Sequence, residues 1–134
     1  MRLYTAVHNK LGMDFGIENS IDGYDEISLT GNFKISTNNY ERIFSPADLG
    51  LPVAKANELV GGETKEDAVK IFDNVLADTA TDTQKNVVIA NAAFAIQVLE
   101  NGSKDIKECC AIARESIESG KALECFKKYV EINS

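Results

Sequence analysis

The stretch that constrains this chain most runs from Val87 to Leu99, where Val87, Val88, Ile89, Ala90, Ala92, Ala93, Phe94, Ala95, Ile96, Val98 and Leu99 leave almost no polar stripe. Thr81 and Gln84, just upstream, have the spacing of a capping box, so the pattern predicts a long helix reaching about Glu100 that is apolar nearly all round. Such a helix has to be surrounded by protein. Asn91 in its middle is then a buried amide that must bond a neighbouring backbone or side chain, since leaving it unpaired costs on the order of 1 to 3 kcal/mol. Asn91 therefore reads as a structural clamp.

The rest of the chain supplies elements to pack against that helix. Thr64 to Asp67 is a second capping-box-like start, followed by Ala68, Val69, Phe72, Val75 and Leu76 at helical spacing. Ser103 is placed to cap a helix with Ile106, Cys109, Cys110, Ala113 and Ile117 on one face, broken at Gly120. A last helix, from about Lys121 to Ile132, would turn Ala122, Leu123, Phe126, Tyr129 and Val130 inward. Ser45-Pro46 opens one short turn ending at Gly50, and Leu51 to Val60 is an irregular apolar connector.

Upstream of these, Leu3, Ala6, Val7 and Leu11 form one stripe of a helix from Arg2 to Leu11, stopped by Gly12. No capping residue precedes it, as when a chain starts inside an element. Phe15 and Ile17 alternate in a strand from Met13 to Asn19; Ile27 and Leu29 alternate in a second. Phe33 and Ile35, the turn Thr37-Asn38-Asn39 and then Tyr40 to Phe44 form an antiparallel hairpin. The expected class is α/β, with a short mixed β-sheet containing a hairpin, followed by about four packed helices. Within a single domain, residues 1–44 would hold the first helix, the strands and an acidic loop, and residues 45–134 a helical block.

Several function classes are excluded or disfavoured at once. A formal net charge of -7 in 134 residues argues against a nucleic-acid partner, which calls for a face rich in Lys and Arg. No apolar run approaches the roughly 18 residues needed to span a bilayer, and the first residues lack a secretory pattern, so no membrane partner and a cytoplasmic location are expected. Cys109, Cys110 and Cys125 contain no C-x-x-C pair and read as buried thiols; on a helix the adjacent pair points about 100° apart, which does not suit one shared metal. His8 falls off the apolar stripe and reads as a solvated histidine. Gly61-Gly62 lacks the strand, further glycine and lysine of a phosphate loop and reads as structural.

What remains for chemistry is the acidic cluster Asp22, Asp25 and Glu26, in the glycine-containing turn after the first strand. Adjacent carboxylates at a strand edge can share a hard cation such as magnesium, which keeps several waters and bridges to a substrate phosphate. By composition alone, an acidic turn on a chain this negative is more often a solvated loop.

The run Ser20-Ile21-Asp22-Gly23-Tyr24-Asp25-Glu26-Ile27-Ser28-Leu29-Thr30 closely resembles the magnesium-binding signature of the anthranilate phosphoribosyltransferase family of tryptophan biosynthesis. The resemblance continues in the family's order through Asp48-Leu49-Gly50-Leu51, Gly61-Gly62, Asn91-Ala92-Ala93 and Ala113 to Leu123. It implies the C-terminal portion of an enzyme that transfers phosphoribosyl from phosphoribosyl pyrophosphate to anthranilate, with Asp25 and Glu26 coordinating Mg2+. The family's diphosphate-cradling glycine loop, its basic-and-asparagine segment and its anthranilate-orienting arginine lie in the earlier part and have no counterpart here. Where the family usually carries a Val-Val-His-like run before the loop, this chain has Ile17-Glu18-Asn19. Asn19 can hydrogen-bond but cannot titrate. The resemblance thus implies a chain inactive alone, whose partner is the missing N-terminal part of the same enzyme. The alternative is a non-catalytic binding or assembly module that pairs with a separate chain. Either way apolar surface and an open sheet edge are expected, and with them self-association.

Overall fold

The computed structural model describes residues 1–134. Helix α1 spans Arg2–Leu11 and leads through left-handed Gly12 to strand β1, Gly16–Ser20. After the loop of residues 21–32 come β2, Phe33–Thr37, and β3, Glu41–Phe44. Two single 3-10 turns, Pro46–Leu49 and Ala56–Glu58, precede four helices: α2, Lys65–Leu76; α3, Asp82–Leu99; α4, Ile106–Glu118; and α5, Lys121–Ile132. The α/β class and the four-helix block agree with the sequence pattern. The sheet, in the order β1-β2-β3, is antiparallel throughout rather than mixed, with Glu18 opposite Ile35 and Ile35 opposite Arg42.

The capping chemistry predicted for α2 and α3 forms as reciprocal pairs, Thr64 with Asp67 and Thr81 with Gln84. Helix α4 begins differently: Asp105, not Ser103, is the cap, accepting from Lys107 N at 2.9 Å while Glu108 accepts from Asp105 N at 3.0 Å. An ionised carboxylate at the positive end of the helix outcompetes a hydroxyl two residues earlier. Gly62 has φ 85°, and a Cβ there would lie 2.2 Å from Asp67 Cβ, so the glycine pair serves the approach to α2.

The core sits between the sheet and α3, backed by α4. Phe94 of α3 meets Phe33 and Phe44 edge-on at 5.9 and 5.2 Å, and those two rings stack at 6.0 Å. Ile89, Ala90 and Ala93 are fully buried against α4, whose Ile106, Cys109, Cys110, Ala113 and Ile117 face inward as their spacing predicts.

Two expectations about covering fail, those for α3 and α5, and α1 lies uncovered as well. Helix α3 is not enclosed, since Val88 is 40% and Leu99 81% exposed. The apolar stripe of α1 buries no residue, with Leu3, Val7 and Leu11 all exposed; only Thr5 and His8 settle partly against Ser36 and Phe15. On α5, Ala122 and Leu123 are half-buried, but Phe126, Tyr129 and Val130 face solvent, Phe126 meeting only Phe72 of α2 at 5.0 Å. Periodicity identifies the apolar face of a helix; whether this chain contains the surface that covers it is a separate question.

The thiols also divide. Cys109 and Cys110 are buried, and burial pushes the Cys110 thiol up to about 11, whereas Cys125 is exposed, against the expectation that all three are inside. Under native conditions an aromatic disulfide reagent is therefore expected to label one thiol per chain quickly and the other two only on denaturation, because attack requires an accessible thiolate. Fast labelling of more than one thiol would place the α4 face outside the core.

Candidate functional site

The acidic loop is built from its base. Ile21 N donates to Asn32 O at 2.9 Å, continuing the β1–β2 pairing by one step, and Ser20 N donates to Tyr24 O at 3.2 Å within the turn. The Thr30 hydroxyl donates to Asp22 Oδ2, and Ser28 and Thr30 share a hydroxyl contact of 2.7 Å. Asp22 therefore closes the neck of the loop, and the structure gives it a different task from Asp25 and Glu26.

Ile27 to Thr30, expected as a strand, is not one. Ile27 and Leu29 are indeed buried, but Leu29 has φ 60°, and its carbonyl accepts from Ala54 N at 2.9 Å instead of from a neighbouring strand. The alternation marks a segment folded down onto α3. Asn91 holds it there: Oδ1 accepts from Ile27 N at 3.1 Å, and Nδ2 donates to Ile27 O at 2.9 Å and to Val87 O at 2.8 Å. The amide uses both its hydrogens and one acceptor position, as expected of a clamp.

The side chains of Asp25 and Glu26 project from this anchored backbone into solvent and take part in none of the chain's ion pairs. With Tyr24, Leu59 and Val87 they line a cleft of about 340 Å³. Glu18 on β1 lies close enough to feel Glu26: burial first, and then the charge of Glu26, push its carboxyl above the usual range. The result is a concentration of negative charge that no Lys or Arg of this chain neutralises.

Two carboxylates of hard oxygen, exposed and unpaired, fit a divalent cation that keeps most of its water. They do not make a closed cage, for no three His, Cys, Asp or Glu side chains come together as a metal cluster anywhere in the chain. The remaining positions on an ion at Asp25 and Glu26 would fall to water or to oxygens from outside the chain.

Sequence reasoning singled out Asp25, Glu26 and Asn91 but missed Ser20. Its buried hydroxyl donates to Glu26 O at 2.7 Å and lies 3.4 Å from Ser28 N. A small hydroxyl residue at the end of a strand, just before an Asp-Gly turn, is the signal that could have found it.

The profile of the glycosyl transferase family, a/b domain, matches residues 3–123. Anthranilate phosphoribosyltransferase of Phocaeicola vulgatus is 58% identical over 134 residues, which cover 100% of this chain and 40% of that protein. The same enzyme of Bacteroides thetaiotaomicron is 51% identical over 134 residues, again 40% of its length. The chain thus spans about 40% of the length of the curated relatives it matches. Among solved structures, anthranilate phosphoribosyltransferase from Thermus thermophilus superposes with a TM-score of 0.82 at 23% identity, covering 95% of this chain and 38% of that one. The Saccharomyces cerevisiae enzyme in complex with PRPP and Mg superposes with a TM-score of 0.78 at 22% identity, covering 96% and 37%. These structural likenesses establish a shared fold, and on the profile match the chain belongs to the glycosyl transferase family, a/b domain.

Proposed function

We propose that the chain is the C-terminal portion of an anthranilate phosphoribosyltransferase, and that Asp25 and Glu26 form the protein's side of a Mg2+ site used in phosphoribosyl transfer to anthranilate. The observation that carries this reading is 58% identity along the whole chain to the Phocaeicola vulgatus enzyme. The unpaired carboxylates in a backbone-anchored loop supply the chemistry it requires. The Saccharomyces cerevisiae enzyme of the same fold, held with PRPP and Mg, supports the cation. When bound, such an ion neutralises diphosphate charge and helps the leaving group depart. The chain's own residues hold and orient it; positioning of the ribose carbon and the amine nucleophile falls to residues outside this chain. A cytoplasmic setting accompanies that biosynthetic role.

The same reading assigns the uncovered surfaces. The apolar stripes of α1 and α5 and the free edge of β1 would be covered by the rest of the enzyme, or by a second copy when that part is missing. The isolated chain is expected to show no anthranilate phosphoribosyl transfer, because two carboxylates cannot place a diphosphate, a sugar carbon and a nucleophile together. Co-expression with the upstream portion of a close relative should give turnover and a stoichiometric complex on size exclusion. Steady turnover by the isolated chain in a clean preparation would defeat the proposal of a non-autonomous portion. A chain that remains monomeric and neither pairs nor turns over in the mixture would favour the assembly-module alternative, with a different partner.

A further inference from the structure

The peptide bond between Glu26 and Ile27 is held at both ends by side chains from different elements. Its carbonyl, Glu26 O, accepts from Ser20 Oγ of β1 at 2.7 Å, and its amide, Ile27 N, donates to Asn91 Oδ1 of α3 at 3.1 Å. Asn91 closes a second bond onto the same residue, from Nδ2 to Ile27 O at 2.9 Å, and fastens itself to its own helix at Val87 O. Ile27 and Ser20 are buried, so neither grip competes freely with water. Directly before this fixed peptide stand Asp25 and Glu26, exposed and free of ion pairs with the chain's own lysines and arginines. The placement of their oxygens is thus set by the backbone rather than by side-chain partners.

We propose that Ser20 and Asn91 are positioning residues for the carboxylate pair: by gripping the two ends of the Glu26–Ile27 peptide they fix the backbone from which Asp25 and Glu26 project, and so set the affinity of the pair for a divalent cation. The inference rests on the cation reading of Asp25 and Glu26. A two-carboxylate site gains little from each ligand because the ion stays largely hydrated, so its affinity depends on both carboxylates reaching the ion together. Releasing either end of the peptide lets it rotate, and the directions in which the two carboxylates project are no longer fixed. Groups that orient metal ligands without touching the metal commonly change affinity by about 10-fold or more when removed.

The test uses the 134-residue chain itself, with Mn2+ as the probe and paramagnetic broadening of backbone amide signals as the readout. In the unaltered chain the broadening is expected to centre on Asp25 and Glu26, and Asp25→Asn with Glu26→Gln should abolish it. Asn91→Ala and Ser20→Ala are each expected to weaken Mn2+ binding about 10-fold while the amide spectrum away from the loop stays unchanged. Ser20→Thr, which keeps the hydroxyl, should restore binding. Ser20→Ala exchanges a hydroxyl for hydrogen at nearly constant volume and so keeps the test open if Asn91→Ala fails to fold. Unchanged Mn2+ affinity in folded Ser20→Ala, with binding still lost when Asp25→Asn and Glu26→Gln are combined, would overturn the positioning role and leave the site reading standing. Broadening centred elsewhere, or surviving the double substitution, would overturn both.

Discussion

Phe94→Ala is expected to lower the stability of the fold by about 3–5 kcal/mol, the upper range for a core truncation. Phe94 is 3% exposed and touches both Phe33 and Phe44 edge-on, so the substitution removes a large apolar surface, two aromatic pairs and the only ring that α3 offers the sheet. The protein has little reserve against such a loss. Only 24 of 134 residues are buried, and a domain of this size is held by a net free energy of about 5–15 kcal/mol at most. Urea unfolding followed by circular dichroism should show the midpoint falling sharply or the folded baseline disappearing. A change under about 1 kcal/mol would mean that the sheet and α3 do not depend on the aromatic cluster. Because β1 and α3 carry Ser20 and Asn91, partial separation of the two layers should also loosen the acidic loop.

The second large effect concerns function. In a full-length enzyme carrying this chain, Asp25→Asn together with Glu26→Gln is expected to lower kcat by about 10²–10³-fold, the scale on which a lost electrostatic stabiliser of a developing anion acts. Size and shape are kept by both replacements, so circular dichroism and the unfolding midpoint should change little. An independent readout comes from Glu18, whose carboxyl is pushed up by burial and then by the charge of Glu26. Removing the Glu26 charge should bring the Glu18 carboxyl down toward its ordinary range in an NMR titration, whether or not transfer is measured. Activity within about 2-fold of the unaltered enzyme would remove Asp25 and Glu26 from the transfer site.

The features legible in the sequence were those decided within a few residues. Thr64 with Asp67 and Thr81 with Gln84 satisfy free amides at helix starts through purely local bonds, and the inward face of α4 follows from spacing alone. Asn91 was legible for a related reason, since a polar residue on an apolar helix must find a partner, although nothing local revealed that the partner was Ile27. Ile27 to Thr30 misled because alternating burial is shared by strands and by segments pressed onto a helix. The positive φ of Leu29 and its bond to Ala54 are settled by distant contacts. The exposure of α5 was illegible from its pattern in another way, for an apolar stripe specifies a need for cover without specifying who supplies it; the resemblance to part of an enzyme implied uncovered apolar surface without saying where.

The grip on Ile27 also separates two regimes of amide exchange within one loop. Asp25 and Glu26 belong to an exposed segment that opens at little free energy, whereas the Ile27 N–H can meet solvent only when Asn91 lets go and a fully buried side chain lifts from the core. The loop is therefore a pinned arch rather than a flap. Any ordering that a ligand at its crest would demand is confined to Asp25 and Glu26, because the base beneath them is fixed during folding.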